Sequence, residues 1–84
     1  METRIALIGI IVEKEQGIEP TNTLLHEYRQ YIVGRMGIPY SKKNVNIISV
    51  VIDAPDSIIS ALSGKLGRIE GISVKTMLAK TKNG

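Results

Sequence analysis

The sequence predicts an α+β domain: a four-stranded antiparallel sheet carrying two helices on one face, in the order β-α-β-β-α-β. Two short β-branched runs, "RIALIGIIVE" over residues 4–13 and "VNIISVVID" over residues 45–53, stand at a constant offset of 40. Ile5 thus aligns with Val45, Leu7 with Ile47, Gly9 with Ser49 and Ile11 with Val51. Each run is followed by a helical pattern and then by another extended segment, so the chain is a duplicated β-α-β unit. The length of 84 residues and the 43% apolar content bound the rest. They describe one small folded domain, expected over residues 1–80, too apolar to be disordered.

The two runs are short, apolar and β-branched, the signature of buried strands. Residues 18–31 form the first helix, because Leu24, Leu25, Tyr28 and Ile32 fall on one helical face. Glu19 and Pro20 suit its first turn, where a missing donor costs nothing and a carboxylate meets the positive end. Gly34 and Gly37 stop it and open a second strand over residues 33–38, after which "IPYSKKN" turns the chain back. The second helix starts at Asp53 or Ala54 with Pro55 as its first helical residue, and Ile58, Ile59, Leu62 and Leu66 form its apolar stripe. The last strand, residues 72–79, alternates Ile72, Val74, Thr76 and Leu78 with Ser73, Lys75, Met77 and Ala79. Residues 81–84 are expected to be a disordered polar tail. This order is the ferredoxin-like arrangement, with the two repeated strands at the centre of the sheet.

The central strands pose a problem. Ala6, Ile8, Ile10 and Val12 line one side of the first, yet Ile5, Leu7, Gly9 and Ile11 line the other. In the third strand Ile48, Val50 and Ile52 oppose Val45, Ile47 and Val51. Helices on one face cover one set only, whereas a sheet wetted on its second face should alternate apolar with polar residues. An uncovered apolar face of this size is typical of interaction sites. The expectation is a homodimer or homotetramer packed through the sheet, with Ile5, Leu7, Gly9, Ile11, Val45, Ile47 and Val51 at the interface.

Composition removes several functions. With no cysteine and His26 as the sole histidine, the chain lacks the usual ligands of zinc and iron–sulfur sites. No Ser-His-Asp arrangement or metal cluster is visible, so no cofactor, metal or catalytic residue is assigned. No apolar run reaches the roughly 18 residues of a membrane span, and no secretory leader is evident, so a cytoplasmic protein is expected. The net charge of +3 is uneven: residues 1–40 hold four basic and five acidic groups, residues 41–84 seven basic and three acidic. Lys42, Lys43, Lys65, Arg68, Lys75, Lys80 and Lys82 are therefore weighed both as a nucleic-acid surface and as an ordinary solvated one, the second being favoured.

Two motifs invite chemistry. "SGKLGRIEG" holds the G-x-x-G of nucleic-acid-clamping loops, but those join two helices, whereas this one closes a helix before a strand. It also lacks the spacing of a phosphate loop. Gly67 is read as the left-handed cap of the second helix, Gly71 as the turn into the last strand, and Gly64 as a site of close packing between helix and sheet. "EKEQG" joins the first strand to the first helix. Glu13, Lys14, Glu15, Gln16, Gly17 and Ile18 form the candidate effector loop, in which Gly17 permits an unusual backbone shape and free amides receive an anion. Tyr28, Tyr31 and Tyr40 lie off the central strands and do not form a base-stacking platform.

The segments "IALIGIIVE", "LLHEY", "VGRMGIP", "NIISVVIDAP" and, most specifically, "ALSGKLGRIEGISVKT" closely resemble the family of small regulators associated with iron-only hydrogenase systems. The resemblance covers residues 4–78. It implies a free-standing ACT-like domain, similar also to the C-terminal domain of nickel-responsive regulators, that works through oligomerisation. Those regulators bind metal through several histidines and a cysteine and read DNA through a separate segment. Neither feature is matched here, so nickel sensing and direct DNA binding are not expected. ACT domains commonly bind small ligands near the loop after the first strand, which implies an effector role for residues 13–18. The expected function is a non-catalytic regulator of transcription whose assembly responds to a small effector or a partner protein. The alternatives are a nucleic-acid module using the basic half and a purely structural assembly subunit.

Overall fold

A computed structural model describes residues 2–81. Its elements are β1 (Arg4–Val12), α1 (Ile18–Glu27), β2 (Ile32–Tyr40), β3 (Val45–Ala54), α2 (Asp56–Gly67) and β4 (Ile72–Leu78). Short 3-10 turns at Glu15–Gly17 and Arg29–Tyr31 flank α1. The sheet order is β2-β3-β1-β4 with every neighbouring pair antiparallel. The repeated runs are thus the two central strands, and the ferredoxin-like arrangement follows.

Strand periodicity sorts the side chains. Ala6, Ile8, Ile10 and Val12 from β1 and Ile48, Val50, Ile52 and Ala54 from β3 are buried beneath the helices. Leu25 from α1 and Ile59, Leu62 and Leu66 from α2 close over them. Burying one such aliphatic side chain contributes about 1.5–3 kcal/mol, so this one layer supplies most of the drive to fold.

Several boundaries depart from expectation. The first helix ends at Glu27, not at residue 31, and the chain passes through a tighter turn before β2. Arg29 donates from Nη1 to the His26 carbonyl at 2.9 Å, and the Tyr31 amide donates to the Tyr28 carbonyl at 3.0 Å, which satisfies groups left free at the helix end. Gly34 and Gly37 do not stop the helix; both lie inside β2, which begins with an irregularity between Ile32 and Gly34 that leaves Val33 outside the register. Pro55 flanks α2 with ψ 150° instead of starting it, and its carbonyl accepts the Ile58 and Ile59 amides at 3.0 and 3.1 Å. β1 stops one residue short of Glu13, and β4 stops at Leu78. Of the tail expected over 81–84, residues 82–84 lie outside the described residues.

The glycines of the "SGKLGRIEG" stretch are also redistributed. Gly67 is the last residue of α2, and the cap after it, Arg68, has φ −89°, so no left-handed cap forms there. The helix ends instead in a tightened turn, with Arg68 and Ile69 amides donating to the Lys65 and Leu66 carbonyls. Gly71 does carry the positive φ, +89°. Gly64 has no packing role: a methyl placed there meets nothing within 4 Å. Gly64→Ala is therefore expected to stabilise the protein by about 1 kcal/mol through helix propensity alone. Urea unfolding of the two forms checks this, and an unchanged or lowered midpoint contradicts it.

Candidate functional site

The side of the sheet away from the helices is open. Cross-strand partners share a face, so the registers place Ile5, Leu7, Gly9 and Ile11 of β1 beside Val45, Ile47, Ser49 and Val51 of β3. β2 adds Met36, Ile38 and Tyr40, and β4 adds Ser73, Lys75 and Met77. All seven residues expected at an interface thus lie on one surface. Ile5 and Ile11 are each 43% exposed, whereas their neighbours Ile8 and Ile10 under the helices are 0% and 1% exposed.

This surface is not flat. Gly9 has no side chain and lies opposite Ser49 on one side and Lys75 on the other. The missing bulk leaves a hollow of about 460 Å³. Its walls are Ile11, Ile47, Ser49, Ser73 and Lys75, and its floor is the backbone of Ile10, Ile48 and Val74. Sequence reasoning placed Gly9 on this face without finding the hollow. Lys75 and Ser73 reach it only through the β1–β4 register, which local pattern does not fix.

The loop of residues 13–18 is pinned, not splayed. The Glu13 and Lys14 amides both donate to the Gly71 carbonyl, at 2.7 and 3.1 Å. The Gly17 amide donates to Lys14 at 2.9 Å, and the Ile18 amide to the Glu15 carbonyl. Four of the six amides are therefore engaged within the chain, and the expected cradle of free amides is not formed. Gly17 has an ordinary φ of −84°, contrary to the expectation of an unusual backbone shape. It is glycine for want of space: a Cβ would lie 2.7 Å from Ile72 Cγ2 and 3.1 Å from the Glu70 carbonyl. A Cβ on Gly71 would lie 2.7 Å from Lys14 Cβ. The loop and the turn before β4 thus interlock glycine by glycine. The Ser73 hydroxyl donates to Glu13 Oε1 at 2.7 Å, tying the loop to the rim of the open face. Beside the loop, Lys14, Glu15, Ile18, Asn44 and Asn46 border a small polar hollow of about 210 Å³.

The outer helical side holds less. His26 is exposed near the end of α1. Among the described residues no group of three or more His, Cys, Asp or Glu side chains is placed to hold a metal ion, and no helix is long and apolar enough to cross a membrane. Lys65 Nζ sits 5.3 Å from the Tyr28 ring centroid. A side-chain hydrogen bond with the Tyr28 phenol, aided by its charge when ionised, holds the Lys65 ammonium above its ordinary pKa. The basic residues of the second half are scattered. Lys42 and Lys43 occupy the β2–β3 turn, Lys65 and Arg68 the end of α2, and Lys75 the open face.

The TM1266-like family model, described as "Iron-only hydrogenase system regulator, putative", matches residues 4–76, and the chain belongs to that family. The structure of the uncharacterized protein TM1266 from Thermotoga maritima is similar at a TM-score of 0.89 and 39% identity, over 94% of this chain and 100% of that one. The ACT domain of GTP pyrophosphokinase from Chlorobium tepidum is similar at a TM-score of 0.66 and 18% identity, over 92% of this chain and 100% of that one. A formyltetrahydrofolate deformylase from Pseudomonas putida KT2440 is similar at 0.61 and 14% identity, over 87% of this chain and 28% of that one. The last two share the fold alone. No curated protein matches the chain.

The interlocked glycines give a direct test. Gly17→Ala and Gly71→Ala are each expected to destabilise the fold by about 1–3 kcal/mol, the first by overpacking and the second by strain at positive φ. Thermal and urea denaturation measure this. Two fully tolerated substitutions would remove the interlock.

Proposed function

We propose that this member of the TM1266-like family is a non-catalytic regulatory module of an iron-only hydrogenase system, and that it works by self-association through the open sheet face. One observation carries the reading: two central strands present a largely apolar surface that no element among the described residues covers. Four strands about 4.8 Å apart and some nine residues long give roughly 500 Å² of projected face. Two copies meeting there bury on the order of 1,000 Å², the lower bound for a specific interface. A second copy also matches in chemistry, since the face is mostly Ile, Leu, Val and Met. Sheets packed face to face are a stable solution for such surfaces.

Regulation follows by linkage: whatever binds one assembly state better shifts the population toward it. The loop of residues 13–18 is the proposed receiver of a small polar effector, seated in the hollow between Lys14, Glu15, Asn44 and Asn46. Its hydrogen bond from Ser73 gives such an effector a physical route to the rim of the face. The scattered basic residues favour action on transcription through protein contacts over direct reading of DNA, which calls for a stripe of positive charge.

Sedimentation velocity at micromolar concentration should show a dimer or tetramer. Val51→Asp and Ile38→Asp, on the same face but on β3 and β2 away from Lys75, should each shift it to a folded monomer, because a carboxylate buried without a partner costs more than the interface returns. A wild-type monomer, or variants that assemble unchanged, contradicts the reading. Melting curves with a panel of amino acids should show a shift that Glu15→Ala reduces. An oligomer indifferent to every ligand would mark a structural subunit instead.

A further inference from the structure

We infer that the hollow at the centre of the open face is a binding site for a small aliphatic carboxylate, with Lys75 as its counter-charge. The site is built from one chain. Its coupling to assembly rests on the proposed face-to-face contact; its existence does not.

The shape comes first. Gly9 opens the middle of a face otherwise raised by Ile11, Ile47 and Leu7, and the resulting space of about 460 Å³ lies within the usual size of small-molecule sites. Its lining surface is mainly apolar, which suits a short hydrocarbon tail. The polar residues on its lining are few: Ser49, Ser73 and Lys75. Ser73 already donates to Glu13, so the fresh donors are Lys75 and Ser49.

The charge then selects the ligand. On this face Asp53 lies opposite Ile5, at the end where β3 leaves the sheet, and Lys75 lies opposite Gly9, near the middle. Gly9 and Ile5 are four residues apart, about 13 Å along the strand, so Asp53 does not neutralise Lys75 within one copy. Among the described residues the Lys75 side chain makes no hydrogen bond or ion pair, and the Glu13 carboxylate, though still charged, is held at the rim by Ser73 and not by Lys75. A second copy laid over the face would strip water from a lone ammonium, which is costly unless an anion accompanies it. An aliphatic carboxylate supplies both that charge and apolar filling. A ligand of this class therefore favours the assembled state, and without one Lys75 opposes assembly.

The test uses the full ¹⁵N-labelled chain with hexanoate, and with hexanol and hexylamine as controls. Hexanoate should move the amide signals of Gly9, Ile11, Ser49 and Lys75 and lower the concentration at which the chain sediments as an oligomer. Hexylamine should do neither, and hexanol should bind more weakly than hexanoate. Lys75→Met keeps the length of the side chain and removes its charge. It should weaken hexanoate roughly tenfold or more, the scale of a charge-assisted hydrogen bond. It should also assemble more readily than wild type without ligand. Gly9→Val should fill the hollow and abolish the amide shifts, since a Cβ there meets only the Lys75 carbonyl oxygen, at 4.0 Å. Unmoved amides, or equal binding of hexanoate and hexanol, overturn the site. Weaker assembly of Lys75→Met also overturns it, because Lys75 then serves a carboxylate of the second copy, Asp53 or Glu13. If nothing sediments above a monomer, the assembly reading fails, while the amide shifts still decide the site.

Discussion

Two helices have one side, and the central strands of this sheet have two apolar ones. That mismatch governs the molecule. Ile8 and Ile10 sit under α1 and α2, while Ile5, Leu7 and Ile11 on the same strand do not. The described elements put no second layer on that side. Small domains bury a modest share of their surface and gain stability from partners. Folding buries one set of side chains and the proposed association would bury the other, from the same two strands, and such association makes stability depend on the concentration of the chain.

The loop after β1 and the turn before β4 form a second unit of design. Gly17 and Gly71 let two backbones approach so closely that a methyl group on either would collide. The Gly71 carbonyl accepts two amides from the loop, and Ser73 reaches back to Glu13. A displacement of the loop thus moves the start of β4, which supplies Ser73 and Lys75 to the open face. Close packing makes such a linkage stiff, so a ligand at the loop has a short physical path to the surface proposed for assembly.

The fold was legible because period-2 and period-3.6 patterns were both intact and the 40-residue offset exposed the duplication. The same parity that buried Ala6, Ile8, Ile10 and Val12 also named the exposed set. What the sequence concealed were features decided by distant contacts. Gly67 looked like a left-handed cap, yet the chain delays its positive φ to Gly71, where Lys14 crosses. Gly17 looked like a conformational glycine but answers to Ile72 and Glu70, more than fifty residues away. The hollow depends on Gly9, Ser49 and Lys75 falling in one cross-strand row, and only the pairing of three strands makes that row.

The shared fold does not carry the function. Chains at 14% and 18% identity keep the same layout, as part of a deformylase and as a domain of a pyrophosphokinase. A second apolar sheet face in such a fold is the kind of surface that marks interaction sites. This chain furnishes that face with a hollow and a lysine among its aliphatic side chains. A flat aliphatic surface would bind a copy of itself permanently. A surface with a void and a cation at its centre binds incompletely until something fills the first and neutralises the second. On the proposed reading the same few residues, Gly9, Ser49 and Lys75, weaken the contact between copies and create the opening through which a ligand restores it.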